Sequence, residues 1–373
     1  MYTKDKAVAD NAILINLFMK ILFCVEFYNP NKGGVQYHTE LIVDKLLKDN
    51  CDIQIATNYD KNRDLKKFKY PIHQFKCAGN IVSGFKGKDI INYQNFLINS
   101  NFDLIIFYAA QQWSLDAALP ILHLIKAKKI LLPCGFSKIN APIYWAYYYI
   151  LKKKLVFFDK IICFSKHTKD YLILKVGFAE KIEIIPNAGN DFSKITICKK
   201  KKDYIRILNV ANFTFLKNQI YIIFLSLFFK NKFKIYFIHS KNSYYKMLCK
   251  KLCSIIEVFF IKKKYVFLNN LSKNKINKFY MGSDFFLFTS LIECSPLVIY
   301  DCLTSGLPFI APDVGNCKEI SSKTKNSHIY KKFFHCVKLV NCMSTTNSNI
   351  YNSRFTWERP LKDYAKLFIN IQK

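Results

Sequence analysis

"ECSPLVIYDCLTSGLPFI", residues Glu293–Ile310, is the stretch on which the reading of this chain turns. It follows "DFFLFTS" (Asp284–Ser290), an apolar run with the composition of a strand buried on both faces. Ser295 then Pro296 has the chemistry of a helix cap followed by a first helical residue. The expected helix runs from Pro296 to about Thr304. Its first N–H groups, beyond reach of any intrahelical carbonyl, suit an anion such as a phosphate. Glu293 falls in the loop before the helix and Asp301 more than a turn inside it. Neither acid suits a phosphate, but a carboxylate accepts hydroxyl hydrogens readily. A phosphate site flanked by two such acids describes a nucleotide sugar. A solvated loop acid and a helix-surface acid fit the same spacing, and spacing alone leaves both readings open.

Outward from this stretch, short apolar runs alternate with longer amphipathic ones. "KILFCVEF" (Lys20–Phe27), "DIQIAT" (Asp52–Thr57), "FDLIIFYA" (Phe102–Ala109), "AKKILLPC" (Ala127–Cys134), "KIICFS" (Lys160–Ser165) and "KIEIIPN" (Lys181–Asn187) read as strands. "GVQYHTELIVDKLLKDN" (Gly34–Asn50) reads as a helix with Val35, Leu41, Ile42 and Leu46 on one face. The pattern stops at the polar, basic "NAGNDFSKITICKKKKDY" (Asn187–Tyr204), the expected linker. It restarts with "IRILNVAN" (Ile205–Asn212), "FKIYFIHS" (Phe233–Ser240), "KYVFLNN" (Lys264–Asn270), "SDFFLFTS" (Ser283–Ser290) and "GLPFIAPD" (Gly306–Asp313). "FTWERPLKDYAKLFINIQK" (Phe355–Lys373) reads as a terminal helix, with Trp357 as its anchor. Strands alternating with helices imply parallel sheets covered on both faces. At 373 residues the chain is too long for one ordinary core. Two successive α/β domains with a cleft between them are expected, with ligands at the carboxyl ends of the strands.

The formal net charge is +31. Much of it reads as compositional bias, since Lys is abundant alongside Asn, Ile, Phe and Tyr, all specified by AT-rich codons. Clusters remain at "LKKKLVFFDK" (Leu151–Lys160), "CKKKKDY" (Cys198–Tyr204) and "FIKKKY" (Phe260–Tyr265). The first interleaves Lys with aromatics and suits an anionic membrane surface. No nucleic-acid-binding module is visible, so charge alone does not make nucleic acid a partner. No run of 18 apolar residues occurs, and no spanning helix is expected. Thirteen Cys, mostly inside apolar runs, point to reduced thiols and a cytoplasmic setting. Cys249 and Cys253 form a lone C-x3-C, which reads as burial rather than a metal site. Met19 opens directly onto the first strand and reads as the start of the folded chain after a short leader. His38 reads as an exposed helical residue.

"ECSPLVIYDCLTSGLPFIAPDVG" resembles the glutamate-x7-glutamate signature of glycosyltransferase family 4, retaining enzymes of the GT-B fold. "MKILFCVEFYNPNKGGVQYHTELI" (Met19–Ile42), "LLPCGFSKINAPIYWAYY" (Leu131–Tyr148), "IICFSKHTKDYL" (Ile161–Leu172), "IIPNAG" (Ile184–Gly189) and "NVANFTFLKNQ" (Asn209–Gln219) resemble further family segments in order. The resemblance implies two Rossmann-like domains: residues 19–186 on the acceptor side and 205–352 for the nucleotide sugar. Residues 187–204 would join them, and a helix at 353–373 would cross back to the first domain. It implies that Glu293 contacts the donor sugar and that Lys217 neutralises the diphosphate. Ser295, Pro296, Leu297 and Val298 would hold the diphosphate at the helix start. Asp301, where the family usually has Glu, would hold the ribose. Gly33 and Gly34 would let the first-domain loop approach the phosphates.

Asn212 stands where the family has a diphosphate-binding arginine, and brings no charge. The region that carries a His in many members has Tyr108, Gln111 and Gln112, with Gln111 as a candidate sugar contact. The implied activity is metal-independent, cofactor-free transfer of a sugar, a hexose by type, from a nucleoside diphosphate to a saccharide or lipid-linked acceptor. Surface polysaccharide or glycolipid synthesis at the inner membrane face is the implied setting. A non-catalytic nucleotide-sugar-binding member is the alternative.

Overall fold

The computed structural model describes residues 19–195, 203–260, 263–343 and 350–372. Residues 1–18, which hold the expected leader, and residues 196–202 of the expected linker lie outside them. In the first half, β1 (Lys20–Val25), β2 (Asp52–Asn58), β3 (Ile72–Phe75), β4 (Ala78–Asn80), β5 (Gly84–Lys86), β6 (Leu104–Tyr108), β7 (Lys128–Leu132), β8 (Lys160–Cys163) and β9 (Ile182–Ile184) follow one another. Seven of them form a parallel sheet in the order β3-β2-β1-β6-β7-β8-β9, and β4 and β5 make a small antiparallel hairpin. The second half contributes β10 (Ile205–Val210), β11 (Phe233–His239), β12 (Lys263–Asn269), β13 (Phe285–Leu287), β14 (Phe309–Pro312) and β15 (His328–Tyr330). These form a second parallel sheet, β12-β11-β10-β13-β14-β15.

Every run read as a strand is a strand. The reason is visible in burial: all of "LIIFY" in β6 and all of "FFL" in β13 are shielded from solvent. Only a sheet packed by helices on both faces calls for such uninterrupted apolar runs. The strands missed from sequence lie at sheet edges or in the hairpin. β3 reads "IHQF" with three half-buried residues, and β15 is three residues long. An edge strand has less to bury, so its sequence loses the signal.

In each sheet the order of strand addition reverses at the centre. β1 lies between β2 and β6, with Cys24 beside both Ala56 and Phe107. β10 lies between β11 and β13, with Ile207 beside both Ile235 and Phe285. At such switch points the loops leaving the strands diverge and open a crevice.

The terminal helix, Glu358–Gln372, packs against the first-domain helix Gly34–Lys48 and buries Tyr364, Ala365 and Phe368 in the core beside β1. Trp357 is buried just ahead of it. This corrects the reading of His38. The imidazole is buried, lies 4.9 Å from the Trp357 ring and bonds the Tyr108 hydroxyl through Nδ1 at 2.6 Å. Burial pushes its pKa down to about 3, so the ring is neutral. The buried face of its helix is His38, Thr39, Ile42, Val43 and Leu46, so Val35 and Leu41 of the expected face are only half-buried.

Within the second sheet a buried ion pair ties β10 to the strand beside it. Arg206 grips Asp284 with Nε at 2.9 Å and Nη2 at 2.7 Å, and its backbone N–H adds a third bond at 2.7 Å. Asp284→Ala removes one partner and strands a buried guanidinium. Thermal unfolding of the variant should show a loss of roughly 3–5 kcal/mol; an unchanged midpoint would contradict the pair's role.

Candidate active site in the cleft between the sheets

The two switch points face each other, and the loops that follow β1, β10, β13 and β14 meet in the crevice. The decisive element is the helix Leu297–Ser305 after β13. It begins one residue later than expected. Pro296 itself is the N-cap, with φ −72° and ψ 118°, and no side chain caps the helix. The Ser295 hydroxyl instead points at the Tyr300 hydroxyl, 3.4 Å away, and the Ser295 carbonyl accepts from Asn187 Nδ2 at 2.8 Å. With the cap role unfilled, the N–H groups of Leu297 and Val298 have no intrahelical acceptor. Both residues line a cleft of about 370 Å³ shared with Gly33, Lys32 and Asp301. The helix ends at Gly306, whose φ of 69° supplies the left-handed residue a helix terminus needs.

Asp301 is braced by the segment that joins the domains. Its Oδ1 accepts the Asn190 backbone N–H at 2.8 Å. Tyr37 donates to Asn190 Oδ1 at 2.7 Å, and Lys273 Nζ donates to the Tyr37 hydroxyl at 2.6 Å. Burial raises the Asp301 carboxyl to about 7, with the Asn190 bond and Lys273 working against the shift. Asn190 thus engages the carboxylate through both its backbone and its side chain, and holds it at the junction. Tyr37, Asn190 and Lys273 were not foreseen from the sequence.

At the other end of the helix start, Lys217 and Glu293 form an ion pair, with the Glu293 side chain mostly buried. The two loops that carry them are tied together. Leu291 N–H donates to the Leu216 carbonyl at 2.8 Å, and the Thr289 hydroxyl donates to the Lys217 carbonyl at 3.1 Å. The loop after β14 presses on the same segment: Asn316 N–H donates to the Cys294 carbonyl at 3.1 Å. Gly315, at φ 55°, sits so close that a Cβ would lie 2.2 Å from that carbonyl oxygen. From the first domain, Gly135 at φ 87° lies against Cys294, where a Cβ would come within 2.7 Å of the Cys294 Cβ. These glycines were missed as well. A glycine's necessity appears only when the chain packed against it is known.

Asn212 is not extended toward the helix start. Its Oδ1 accepts from Ser240 N–H at 2.9 Å, Ser240 Oγ at 2.9 Å and Lys241 N–H at 3.1 Å, shaping the loop after β11. Only its amide NH2 is left to offer a ligand. Gln111 is consumed internally: Oε1 accepts from Ser137 N–H and Oγ, and Nε2 donates to the Ser137 carbonyl and the Tyr148 hydroxyl. It has no bond left for a sugar. Gly33 precedes the Gly34–Lys48 helix in extended backbone, and a Cβ there would meet only the mobile end of Gln36. Gly34 faces Leu297, with a Cβ position 3.6 Å from Leu297 Cδ1, so the two domains touch at the helix start.

Residues 195–333 match the family model of glycosyl transferases group 1. No curated protein matches the sequence significantly. Among solved structures, sucrose-phosphate synthase from Thermosynechococcus elongatus superposes with a TM-score of 0.70 at 10% identity, over 95% of this chain and 99% of that one. HepE of Anabaena, solved with UDP and glucose, gives 0.68 at 15% identity, over 94% and 100%. The lipopolysaccharide outer core galactosyltransferase WaaB in its apo form gives 0.65 at 13% identity, over 94% and 99%. The fold is GT-B: two Rossmann-like domains with the terminal helix returned to the first.

The packing of the joining segment on this helix has a direct test. A Cβ at Gly189 would lie 2.3 Å from the Tyr300 carbonyl oxygen, whereas one at Gly34 meets Leu297 at ordinary contact distance. Gly189→Ala should lower stability by about 1–3 kcal/mol, and Gly34→Ala should leave the melting temperature nearly unchanged. Equal melting temperatures for the two variants would refute the close packing at Gly189.

Proposed function

We propose that this protein is a glycosyltransferase that moves a sugar from a nucleoside-diphosphate donor to an acceptor hydroxyl, with the anomeric configuration retained. The observation that carries the reading is the order of groups along one helix start. The Lys217–Glu293 pair lies before the free N–H groups of Leu297 and Val298, and Asp301 follows a turn later. A nucleotide sugar presents hydroxyls, diphosphate and ribose in that order. Glu293 accepts the sugar hydroxyls, the helix start and Lys217 meet the diphosphate, and Asp301 meets the ribose. The match to glycosyl transferases group 1 and the shared fold with a UDP-binding structure support this assignment.

In the proposed reaction the bond from the anomeric carbon to the phosphate oxygen breaks, and a bond from that carbon to the acceptor oxygen forms on the same face. The acceptor proton passes to the departing phosphate. Lys217 and the Leu297 and Val298 N–H groups stabilise the charge that develops there. They take the place of a metal in this scheme. Asn212 leaves this clamp one cation short of the family pattern, which favours modest turnover. It also keeps a second reading in play, a nucleotide-sugar-binding protein without turnover. The acceptor is proposed to be a saccharide or a lipid-linked sugar of surface polysaccharide or glycolipid synthesis, a role that the fold shared with WaaB supports. Among the described residues no helix is long and apolar enough to cross a membrane. The proposed location is cytoplasmic, with peripheral contact at the inner membrane face.

Donor hydrolysis tests the chemistry. Across uridine, guanosine and adenosine diphosphate sugars, one donor should raise the melting temperature and be hydrolysed slowly. Glu293→Gln and Lys217→Ala should each slow hydrolysis by about 10²–10³-fold. Binding without hydrolysis or transfer would replace the enzyme reading with the binding one, and no binding of any donor would overturn both.

Asp301 adds a pH signature. Its carboxyl, raised to about 7, is protonated below that pH and weakens as an acceptor for ribose hydroxyls. The nucleotide sugar itself carries no proton titrating there. Affinity should therefore rise by up to about tenfold between pH 6 and pH 8. Asp301→Asn should flatten the profile; a profile that persists in this variant would assign the titration to another group.

A further inference from the structure

The helix Tyr244–Phe259 is apolar on two opposite faces. Tyr245, Cys249, Cys253 and Ile256 point into the second domain. The outward face carries Tyr244, Met247, Ile255, Val258 and Phe259 at helical spacing, with Tyr244 at 84%, Val258 at 77% and Phe259 at 75% exposure. A surface helix of a freely soluble domain shows a polar outer face. Here the outer charges are lysines, Lys250 and Lys251 among them. The helix's one acid, Glu257, is already engaged, accepting the Tyr265 N–H at 2.7 Å.

The apolar surface does not end with the helix. The Phe215 ring, 76% exposed, packs 4.7 Å from the Tyr245 ring at the helix start. Leu216 beside it is also exposed, as are Leu291 and Ile292 in the loop bonded to it. These four residues immediately precede Lys217 and Glu293. Exposed apolar side chains thus lie both on the outer helix and in the loops that lead to Lys217 and Glu293.

We propose that this face lies on an anionic lipid bilayer, with the apolar side chains inserted at the headgroup boundary and the lysines meeting lipid phosphates. The charge selects the occupant. A second copy of the chain would set Lys250 and Lys251 against like charges, whereas an anionic surface complements them. The segment Leu151–Lys160, picked out by sequence for the same role, buries Leu151, Leu155 and Phe158 but leaves Val156 exposed, close to the exposed Trp145 and Tyr149. The bilayer would bring an acceptor with a hydrocarbon anchor to the cleft mouth, and that clause alone rests on the glycosyl-transfer reading.

Vesicle flotation of the full chain tests the surface independently of donor chemistry. Vesicles of phosphatidylglycerol and phosphatidylcholine in equal parts should bind the protein at least about tenfold more tightly than phosphatidylcholine alone. The double variants Val258→Ser/Phe259→Ser and Lys250→Glu/Lys251→Glu should each lose at least about tenfold in that binding, with melting temperature and donor hydrolysis in solution unchanged. Wild-type binding by both variants, or equal binding to neutral vesicles, would overturn the proposal. So would a dimer in sedimentation velocity that the Val258→Ser/Phe259→Ser variant dissolves, since the face would then belong to a second copy.

Discussion

The first N–H groups of a helix point along its axis with no carbonyl behind them to accept, and the Leu297–Ser305 helix adds no side-chain cap. Much of the second domain serves to aim that start into the cleft. β13 delivers it from the switch point, Gly315 and Asn316 support the turn before it, and Gly306 closes its far end. The segment that joins the domains then holds the same helix from the other side. Asn187 holds the Ser295 carbonyl, Asn190 holds Asp301, and Gly189 lies against Tyr300. A polarised helix start, held on both sides, suits an anion.

The electrostatics on either side of that start differ. Lys217 and Glu293 satisfy each other across a partly exposed gap. In the proposed reading, a diphosphate entering there would compete for the lysine and free the carboxylate for hydroxyls. Asp301 is held where burial works against its charge, which makes it the titrating member of the site. The chain's large positive excess contributes little to this pocket's shape. It is spent mostly on exposed lysines, whose interactions are weak singly and add up only on an extended anionic surface.

Much of this was legible in the sequence because burial on both faces of a parallel sheet writes an unbroken apolar run, as at "LIIFY" and "FFL". Glu293 and Asp301 were picked out by their places before and within a helix start, and Lys217 by its segment's resemblance to a known family; the structure pairs Lys217 with Glu293. The short edge strands β3 and β15 were not, since they bury less. His38 was misread because the element that covers it lies at the far end of the chain. Tyr37 meets Asn190 across 153 residues and Lys273 across 236, and no local pattern encodes such a meeting. The orientation of Asn212 was not legible, because the Ser240 turn that occupies its side-chain oxygen follows a different strand.

The central claim is that the start of the Leu297–Ser305 helix holds a diphosphate. A crystal structure of the protein with its bound nucleotide sugar measures this directly. The account predicts phosphate oxygens within hydrogen-bond distance of the Leu297 and Val298 N–H groups, with the ribose on Asp301 and the sugar on Glu293. A nucleotide bound elsewhere, or one whose phosphates leave those N–H groups to water, would contradict it.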